Sequence, residues 1–361
     1  MSEKKLRACM VGMSGIALGR YPGYSLTAPA ARFGPLNTEV PHSHVGAYSV
    51  LPQTDLVAVC DLKTEQFDEF RNVWGDVYPD MHFYTDYHEM LAKEEPELLS
   101  VVVSDHYHSQ MVTYAAEHGV KGICCEKPMA TTVDDCDKMI EACDKNGVVL
   151  SIEHTGRWMP AYQTARKAIE EGAIGKVKRL VGHLSGPRAM LFRNGTHLID
   201  GLVYFADSEP EWVFGELDDE FSDYYSYRGD GGRDPAGDPG GSGYVHFKNG
   251  VRAFINASKG QMAASFIEII GEEGQLTLGG PSVLLKGGGH SSNSLQILPS
   301  SSHMRADIPA CIHEITEVMK NGGEVSCPGR EGKKTVEIIV GMLKSQESGN
   351  DRVDLPLAPG N

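Results

Sequence analysis

The sequence predicts two domains: a doubly wound α/β domain with a parallel sheet, followed by an α+β domain whose sheet is mostly antiparallel. Three observations support this prediction. The chain has 361 residues, which is more than a single hydrophobic core normally serves. Apolar strands alternate with helical patterns as far as about residue 156, and strand patterns dominate from there. We therefore expect domains at 1–156 and 157–361, with an insertion at about 20–41 in the first.

The first predicted strand, Leu6 to Val11, runs directly into a glycine-containing turn. The turn resembles the motif GxGxxG/A, whose backbone approaches the pyrophosphate of a dinucleotide. Gly12 and Ala17 fill its first and third positions, whereas Ser14 replaces the second glycine. An ordinary turn is the alternative interpretation of this motif taken alone. The residues expected to contact a cofactor here are Gly12, Ser14, Gly15, Ile16 and Ala17.

The second predicted strand, Leu56 to Cys60, ends in Asp61. An acidic residue at this position hydrogen-bonds the ribose hydroxyls and repels a 2′-phosphate, which favours NAD and makes NADP the weaker candidate. Asp61 lies 49 residues after Gly12, whereas the standard unit spans roughly 20 to 30. The surplus is the Pro/Gly-rich stretch 20–41, which is either a lid or partner contact near the cofactor or a solvated excursion.

Helix and strand patterns alternate through the rest of the first domain. A helix is expected from near Ser43 to before Pro52, and His42 and His44 are interpreted as loop and cap residues rather than metal ligands. Further helices are expected at 85–93, 109–118 and 131–146, and further strands at 98–103, 122–125 and 148–152.

The strand Gly122 to Cys125 delivers Lys127 to the carboxyl edge of the predicted sheet. Pro128 restricts Lys127 toward extended geometry, and parallel sheets bind their ligands at this edge. A strand-end lysine that reaches water and pairs with Glu126 is the common structural alternative. Ser104 and His108, which follow the preceding strand, are candidates to contact the nicotinamide half of a dinucleotide. For His108, a simple helix-start histidine is an interpretation of similar weight.

The second domain is predicted from strand patterns that are separated by turns. Asn249-Gly250 and Glu273-Gly274 are favourable hairpin turns, and residues 228–243 are too rich in Gly and Pro to be regular. Strands are expected at 176–184, 244–247, 251–257, 265–270 and 275–278, and helices at 162–171, 194–206, 308–319 and 333–345.

Composition narrows the class of partner. Lys and Arg total 33 against 49 Asp and Glu, a formal net charge of −16, which disfavours nucleic acid and anionic membranes. No apolar run approaches the roughly 18 residues of a membrane span, and the start MSEKKLRACM lacks a signal-peptide apolar region, so we expect a cytoplasmic protein. Of the eight cysteines, Cys9, Cys60, Cys124 and Cys125 are expected in the core, and Cys136 and Cys143 lie too far apart on one helix to bridge. Without CxxC or HExxH spacing no metal site is predicted.

Several separated segments, taken together, are similar to the glucose-fructose oxidoreductase and inositol dehydrogenase (Gfo/Idh/MocA) family. The most specific are EKP at 126–128 and GTHLID at 195–200. The resemblance covers nearly the whole chain and includes the Gly12 motif, Asp61, GRWMP at 156–160, GAIG at 172–175, FKNG at 247–250, EIIGEEG at 268–274 and LPL at 355–357.

The resemblance implies a Rossmann domain followed by a domain with a large open sheet, and NAD(P)-linked chemistry on sugars and cyclitols in the crease between them. Lys127 then corresponds to the lysine that holds the reacting hydroxyl, His197 to an acid/base histidine and Asp200 to a carboxylate one helical turn later. Glu126 and Lys127 would also adjoin the cofactor. A histidine of near-neutral pKa suits the removal of a hydroxyl proton during hydride transfer.

The sequence departs from the family pattern at Arg193, where many members have an aspartate four residues before the histidine. The inverted charge suggests a substrate with a carboxylate or phosphate, bound by Arg193 with Arg157 and Arg188. The alternative is that these arginines pair with the protein's own carboxylates. The predicted substrate-binding residues are Arg157, Trp158, Arg193, Asn194 and His197.

The predicted function is an NAD-dependent dehydrogenase or reductase that acts on a secondary hydroxyl of a sugar, cyclitol or sugar acid. Some relatives in this family use bound NAD transiently, so the alternative is a glycosidase, lyase or epimerase that proceeds through a keto-sugar. The open sheet leaves one face to be covered, and the family usually pairs such faces. We therefore expect a homodimer or homotetramer formed through the second-domain sheet.

Overall fold

The computed structural model describes residues 4–19, 42–187, 189–218, 237–260, 262–280, 282–287, 295–299 and 306–358. They fall into two compact units. The first is drawn from 1–129, 137–155 and 303–329, and the second from 130–136, 156–302 and 330–361. Residues 303–329, which the sequence analysis assigned to the second domain, belong to the first unit. The predicted insertion at 20–41 and Arg188 lie outside the described residues.

The elements are numbered in chain order. The strands are β1 (Leu6–Val11), β2 (Thr54–Cys60), β3 (His82–Tyr84), β4 (Leu98–Val101), β5 (Gly122–Cys125), β6 (Val149–Ile152), β7 (Val177–Ser185), β8 (Pro210–Leu217), β9 (Gly241–Phe247), β10 (Arg252–Ser258), β11 (Ala264–Gly271), β12 (Gly274–Leu278), β13 (Ser282–Gly287), β14 (Leu295–Pro299) and β15 (Val353–Asp354). The helices are α1 (His44–Val50), α2 (Glu65–Trp74), α3 (Tyr87–Glu94), α4 (His108–Glu117), α5 (Val133–Asn146), α6 (Pro160–Glu170), α7 (Thr196–Ala206), α8 (Asp307–Asn321) and α9 (Gly329–Glu347).

The first unit contains a six-stranded sheet in the order β3-β2-β1-β4-β5-β6. Its neighbouring strands pair in parallel, which confirms the predicted doubly wound sheet. The strand order reverses between β1 and β4, and parallel sheets bind ligands beyond the carboxyl ends of the strands at such a point. The short strand β3 and the helix α2 are additions to the predicted elements.

The helix α8 packs against β5 and β6 of the first unit. Gly122 at the start of β5 makes this close packing possible. A Cβ atom added there would lie 2.5 Å from the Met319 sulfur and 2.7 Å from an Ile315 methyl carbon. A side chain at this position would therefore push α8 away from the strand that carries Lys127.

The second unit contains a nine-stranded sheet in the order β14-β13-β12-β11-β7-β10-β9-β8-β15. Its described pairs are antiparallel except for β7 with β10, which confirms the mostly antiparallel sheet. The two predicted hairpins join β9 to β10 and β11 to β12. The predicted irregular stretch 228–243 lies mainly outside the described residues, but its last three residues are already in β9.

The inner face of this sheet packs on helices, and its outer face carries aromatic rings. Gly215 of β8 faces Met342 of α9, because an added Cβ would lie 2.9 Å from the Met342 Cγ. On the other face, the rings of Trp212 and His246 stack with centroids 5.2 Å apart. Phe214 and Phe254 on this outer face are each 41% exposed.

The eight cysteines are all free and buried. This agrees with the core positions predicted for Cys9, Cys60, Cys124 and Cys125 and with the absence of a Cys136–Cys143 bridge. Burial raises the pKa of Cys9, Cys60 and Cys143 to about 12, so these thiols are inert packing groups. Within the described residues, every helix is too short or too polar to cross a bilayer.

Candidate functional site

The turn after β1 has the backbone geometry that a dinucleotide needs. Gly12 has φ +92°, and an added Cβ would lie 2.1 Å from the carbonyl oxygen of Val102. Its N–H donates to the Cys60 carbonyl at 2.8 Å. Because both neighbouring strands approach this residue, only glycine fits.

Gly15 lies on the open side of the same turn. It has φ +62°, and an added Cβ would meet no described heavy atom within 4 Å. Ser14 and Gly15 are exposed, whereas Ala17 is fully buried. The exposed backbone of Ser14 and Gly15, next to the buried Ala17, leaves room for a pyrophosphate. Gly15 thus takes the place of the motif's second glycine, one position later in the chain.

Asp61 binds the same turn from the end of β2. Its Oδ2 accepts a hydrogen bond from the Met13 N–H at 2.8 Å, and its Oδ1 accepts one from the Lys63 N–H at 2.9 Å. The carboxylate therefore stands beside the glycine turn, although 48 residues separate it from Met13. This is the arrangement in which an acidic residue holds the adenosine ribose of NAD.

Lys127 follows β5 at the carboxyl edge of the sheet and is half-buried. The backbone ladder continues to Glu126, whose N–H donates to the Val101 carbonyl at 2.9 Å. The Lys127 N–H then donates to the Glu126 carboxylate at 3.3 Å. Sheet geometry thus fixes the backbone up to the residue before the amine.

Glu126 is a buried carboxylate with a buried partner. Its Oε1 lies 3.0 Å from Nε2 of His44 at the start of α1. Burial alone would raise the pKa of the Glu126 carboxyl, but the hydrogen bond and charge of His44, together with the charge of Lys127, lower it. His44 had been interpreted as a cap residue. The cap is Ser43, whose Oγ accepts a hydrogen bond from the Gly46 N–H.

His108 is buried against the backbone of the same edge. Its Nδ1 lies 3.0 Å from the Pro128 carbonyl and its Nε2 lies 3.2 Å from the Val103 carbonyl. Burial lowers the pKa of His108, which favours the neutral ring. Because a neutral ring has one N–H, it donates to one of these two carbonyls, and the imidazole packs between the end of β4 and the segment after Lys127. A contact of His108 or half-buried Ser104 with nicotinamide stays a prediction.

Glu153 is a buried carboxyl that the sequence analysis did not select. It follows β6, where Thr155 donates a hydrogen bond to its Oε2 at 2.7 Å. Its Oε1 is buried without a hydrogen-bond partner among the described residues. Burial, with the charges of Glu126 and Asp307, raises the pKa of Glu153 well above its usual range. The sequence indicates this residue only by its position, as an acidic residue directly after the apolar strand β6.

The predicted residues of the second unit lie at the start of α7. A short π-helical turn, Leu191–Gly195, precedes it, and such turns are frequent at functional sites. Within this turn Arg193 and Asn194 are half-buried, and His197 follows in the first turn of α7. The predicted helix 194–206 therefore begins as a π turn, with the Gly195 N–H bonded to the Met190 carbonyl at 2.7 Å.

Asp238 holds this π turn from a distant part of the chain. Its two carboxylate oxygens accept the N–H groups of Phe192 at 3.1 Å and Arg193 at 2.9 Å. The Asp238 side chain is fully buried. This residue was not predicted, because it lies within the glycine-rich stretch 228–243, where no local pattern indicates its partner.

Asp200 is bound by Arg157 within the second unit. The Arg157 guanidinium donates to both Asp200 oxygens at 2.8 to 3.0 Å and also reaches Glu331 at 3.2 Å. Its guanidinium carbon lies 5.3 Å from the centre of the Tyr204 ring. Arg157 and Asp200 are 4% and 0% exposed. Arg157 therefore pairs with the protein's own carboxylates, which the sequence left open as the alternative to substrate binding. Substrate binding by Arg157 and buried Trp158 stays a prediction.

Comparison with known proteins gives matches along both units. A family model described as "Oxidoreductase family, NAD-binding Rossmann fold" matches residues 32–154, and one described as "GFO/IDH/MocA C-terminal domain" matches residues 162–277. D-apiose dehydrogenase of Paraburkholderia graminis is 24% identical over 332 residues, 85% of each chain.

Two further matches differ in extent. The 2,7-anhydro-N-acetylneuraminate hydratase of Mediterraneibacter gnavus is 37% identical over 93 residues, 26% of this chain and 25% of that protein. A solved levoglucosan dehydrogenase, in complex with NADH and levoglucosan, has a TM-score of 0.75 and 18% identity. It covers 98% of this chain and 100% of its own. At that identity the structural match shows the fold alone.

Proposed function

Since this chain belongs to the Gfo/Idh/MocA family of NAD(P)-dependent oxidoreductases, we propose that it is an NAD-dependent dehydrogenase acting on a secondary hydroxyl of a sugar, cyclitol or sugar acid. The observation that carries this proposal is Lys127. It stands half-buried at the carboxyl edge of the parallel sheet, beside a buried and charge-paired Glu126. A cation in this position can hold a substrate hydroxyl and stabilise the oxygen as its proton leaves.

The other residues take separate roles in this proposal. His197 accepts the hydroxyl proton, and Asp200, one helical turn later, is the carboxylate that takes part in the chemistry with it. Bound nicotinamide supplies the hydride chemistry, and the turn at Gly12 to Ala17 holds the pyrophosphate. The remaining proposed cofactor contacts are Ser104, His108 and Glu126.

Asp61 is proposed to select NAD over NADP. Its carboxylate already faces the glycine turn through the Met13 N–H, so a 2′-phosphate would meet a negative charge there. Asp61→Ala should weaken NAD binding by roughly tenfold, as expected for loss of a charged hydrogen bond, and bring NAD and NADP closer in affinity. Fluorescence titration with both reduced cofactors measures this. An unchanged ratio of the two affinities would count against the assignment.

A second function has one observation in its favour. The relative from Mediterraneibacter gnavus is named a hydratase, so chain similarity extends to a protein whose name denotes addition or loss of water. A lyase, glycosidase or epimerase that uses bound NAD transiently is therefore the alternative. It would consume substrate without accumulating NADH.

Self-association through the outer face of the second sheet is also proposed. The aromatic surface around Trp212, Phe214 and Phe254 is an exposed apolar patch of the kind that interfaces cover. Phe214→Glu together with Phe254→Glu should dissociate a homodimer or homotetramer, which light scattering of the purified protein would detect. A monomeric wild-type protein would overturn this part of the proposal.

The eight free cysteines favour a reducing compartment, so we place the enzyme in the cytoplasm.

A substrate panel tests the proposed activity. Purified protein with NAD is offered neutral sugars, inositols and uronic acids, and NADH formation is followed by its near-ultraviolet absorbance. We expect activity with at least one hydroxyl substrate. Arg193→Met, which removes the charge but keeps an apolar stem, should reduce activity on uronic acids more than on neutral sugars. Equal losses would assign Arg193 to the alternative role of pairing with the protein's own carboxylates.

A further inference from the structure

A chain of buried hydrogen bonds joins α1 to the segment that carries Lys127. The Tyr48 hydroxyl lies 2.8 Å from the Ser100 hydroxyl, and the Ser100 hydroxyl lies 3.1 Å from Nδ1 of His44. Nε2 of His44 then lies 3.0 Å from Oε1 of Glu126. The first three residues are at most 3% exposed, and Glu126 is 7% exposed.

Each member of the chain has a hydrogen-bond partner. Burial raises the pKa of the Tyr48 hydroxyl well above its usual range, so this group keeps its proton. The Ser100 hydroxyl bridges the Tyr48 hydroxyl and Nδ1 of His44. The N–H at Nε2 of His44 donates to the Glu126 carboxylate, which can only accept.

The chain ends directly at the functional segment. Oε1 of Glu126 accepts from His44, and its Oε2 accepts the Lys127 N–H at 3.3 Å. The position of this carboxylate therefore sets the backbone that presents the amine. Without His44, the buried carboxylate would lose its donor and would have to turn or take up a proton.

We propose that His44 is a positioning residue for Lys127, which acts by fixing the Glu126 side chain. This inference rests on the proposed function. His42 offers a matched comparison because it lies two residues earlier and pairs with Asp307 of α8. His42 thus makes the same kind of histidine–carboxylate contact in the same unit without touching Glu126.

Two amide variants separate the two ends of the imidazole. His44→Gln can place its side-chain N–H near the position of Nε2 and keep the donor to Glu126. His44→Asn reaches only the position of Nδ1, beside Ser100. We expect His44→Asn to lower kcat by about 10- to 100-fold, the cost of a small displacement of a reacting group. NAD affinity and KM should change by less than about threefold, and His44→Gln should retain most of kcat.

His42→Asn is the control, and it should keep kcat while losing a similar amount of thermal stability. The account is overturned if His44→Asn keeps kcat, or if Gln and Asn at position 44 lose it equally. Should His44→Asn fail to fold, Glu126→Gln carries the test, because it preserves shape and removes the charge. We expect the same loss of kcat from it, and full activity would overturn the proposal.

Amide hydrogen exchange gives a reading that does not need activity. In His44→Asn the peptide spanning 122–133 should exchange faster than in the wild type, whereas in His42→Asn it should not. If the wild type turns over no hydroxyl substrate but this difference is found, the proposed function fails and the positioning contact stands. If exchange is unchanged in His44→Asn, the positioning contact itself is refuted.

Discussion

The segments 122–128 and 191–200 hold their functional residues by different means. In the first, the parallel sheet carries the backbone to Glu126, and one buried histidine fixes the last side chain. In the second, a π turn and the start of α7 are held by two buried carboxylates. Asp238 accepts two N–H groups of the turn, and Asp200 is bound by Arg157. Lys127 thus depends mainly on strand geometry, whereas His197 depends on hydrogen bonds and an ion pair with residues far away in the chain.

This difference has a consequence for variants. When a single side chain near Lys127 is changed, the sheet ladder still holds the backbone as far as Glu126, and only the placement of the amine beyond it shifts. A helix start that depends on buried carboxylates loses its place when one of them is changed, because the remaining charged or polar groups are left without a partner. We therefore expect changes near Lys127 to affect chemistry, and changes near His197 to affect chemistry and stability together.

The largest effect is expected from Lys127 itself. Lys127→Ala removes the amine and leaves the sheet intact, so turnover should fall by about 10²- to 10⁴-fold while NAD affinity stays nearly the same. Steady-state kinetics and cofactor titration of one preparation measure both. Lys127→Arg is the control that keeps a cation but changes its shape and its proton chemistry, and it should stay inactive. Full activity of Lys127→Ala would remove the basis of the proposed mechanism.

Breaking the Arg157–Asp200 pair should produce the largest loss of stability. Arg157→Met leaves a buried carboxylate without its partner, which costs about 3–5 kcal/mol. The double variant Arg157→Met with Asp200→Leu should recover most of this loss, because the buried charge is gone. Chemical denaturation measures both.

The activity of the same double variant shows whether Asp200 has a catalytic role or only a structural one. If Asp200 takes part in the chemistry as proposed, the stable double variant stays inactive. A stable and active double variant would limit Asp200 to a structural role. A double variant as unstable as Arg157→Met would show that the pair is not the main support of α7.

Asp238→Asn tests the second support of the π turn. The amide offers one oxygen acceptor where the carboxylate offered two, so one N–H of the turn loses its partner. We expect a loss of about 1–3 kcal/mol in the free energy of unfolding and a fall of roughly tenfold in kcat, since residues 193–197 shift. Asp354→Asn, whose side chain is 76% exposed in the same unit, is the comparison and should lose less of both. If Asp238→Asn matches the wild type in kcat, the π turn does not depend on this carboxylate.

The smallest effect concerns Glu153 and appears only as a dependence on pH. Its pKa is raised in the folded state, so the folded protein holds a proton that the unfolded chain releases above its ordinary pKa near 4.5. Stability from this group is therefore present below that pKa and falls as pH rises toward the folded value. Glu153→Gln, which resembles the protonated acid, should gain thermal stability relative to the wild type as pH rises from about 4.5. A difference that does not vary with pH would contradict the raised pKa.

Sequence reasoning predicted the elements that rest on local patterns. The strands β1, β5 and β6, the hairpin turns and the helix α5 follow from apolar runs, turn residues and caps. The strand β8 was missed because its outer face carries Trp212 and Phe214 while its inner face carries Val213 and Leu217, so the usual alternation of apolar and polar residues is absent.

Long-range contacts could not be read from local patterns. The pairing of Arg157 with Asp200 spans 43 residues, and that of Phe192 with Asp238 spans 46. The return of residues 303–329 to the first unit is of the same kind. His44 and Ser100 did leave a signal, because each is a polar residue in an otherwise apolar stretch of strand or helix, but only the structure shows that they meet.

The ratio of NADH formed to substrate consumed tests the central claim most directly. Wild-type protein is incubated with excess NAD and the best substrate of the panel, and NADH and remaining substrate are quantified in the same sample. A net dehydrogenase gives one NADH for each hydroxyl oxidised, and this ratio is the result that we predict. Substrate loss without accumulating NADH would contradict the claim and assign the chain to the enzymes that use NAD transiently.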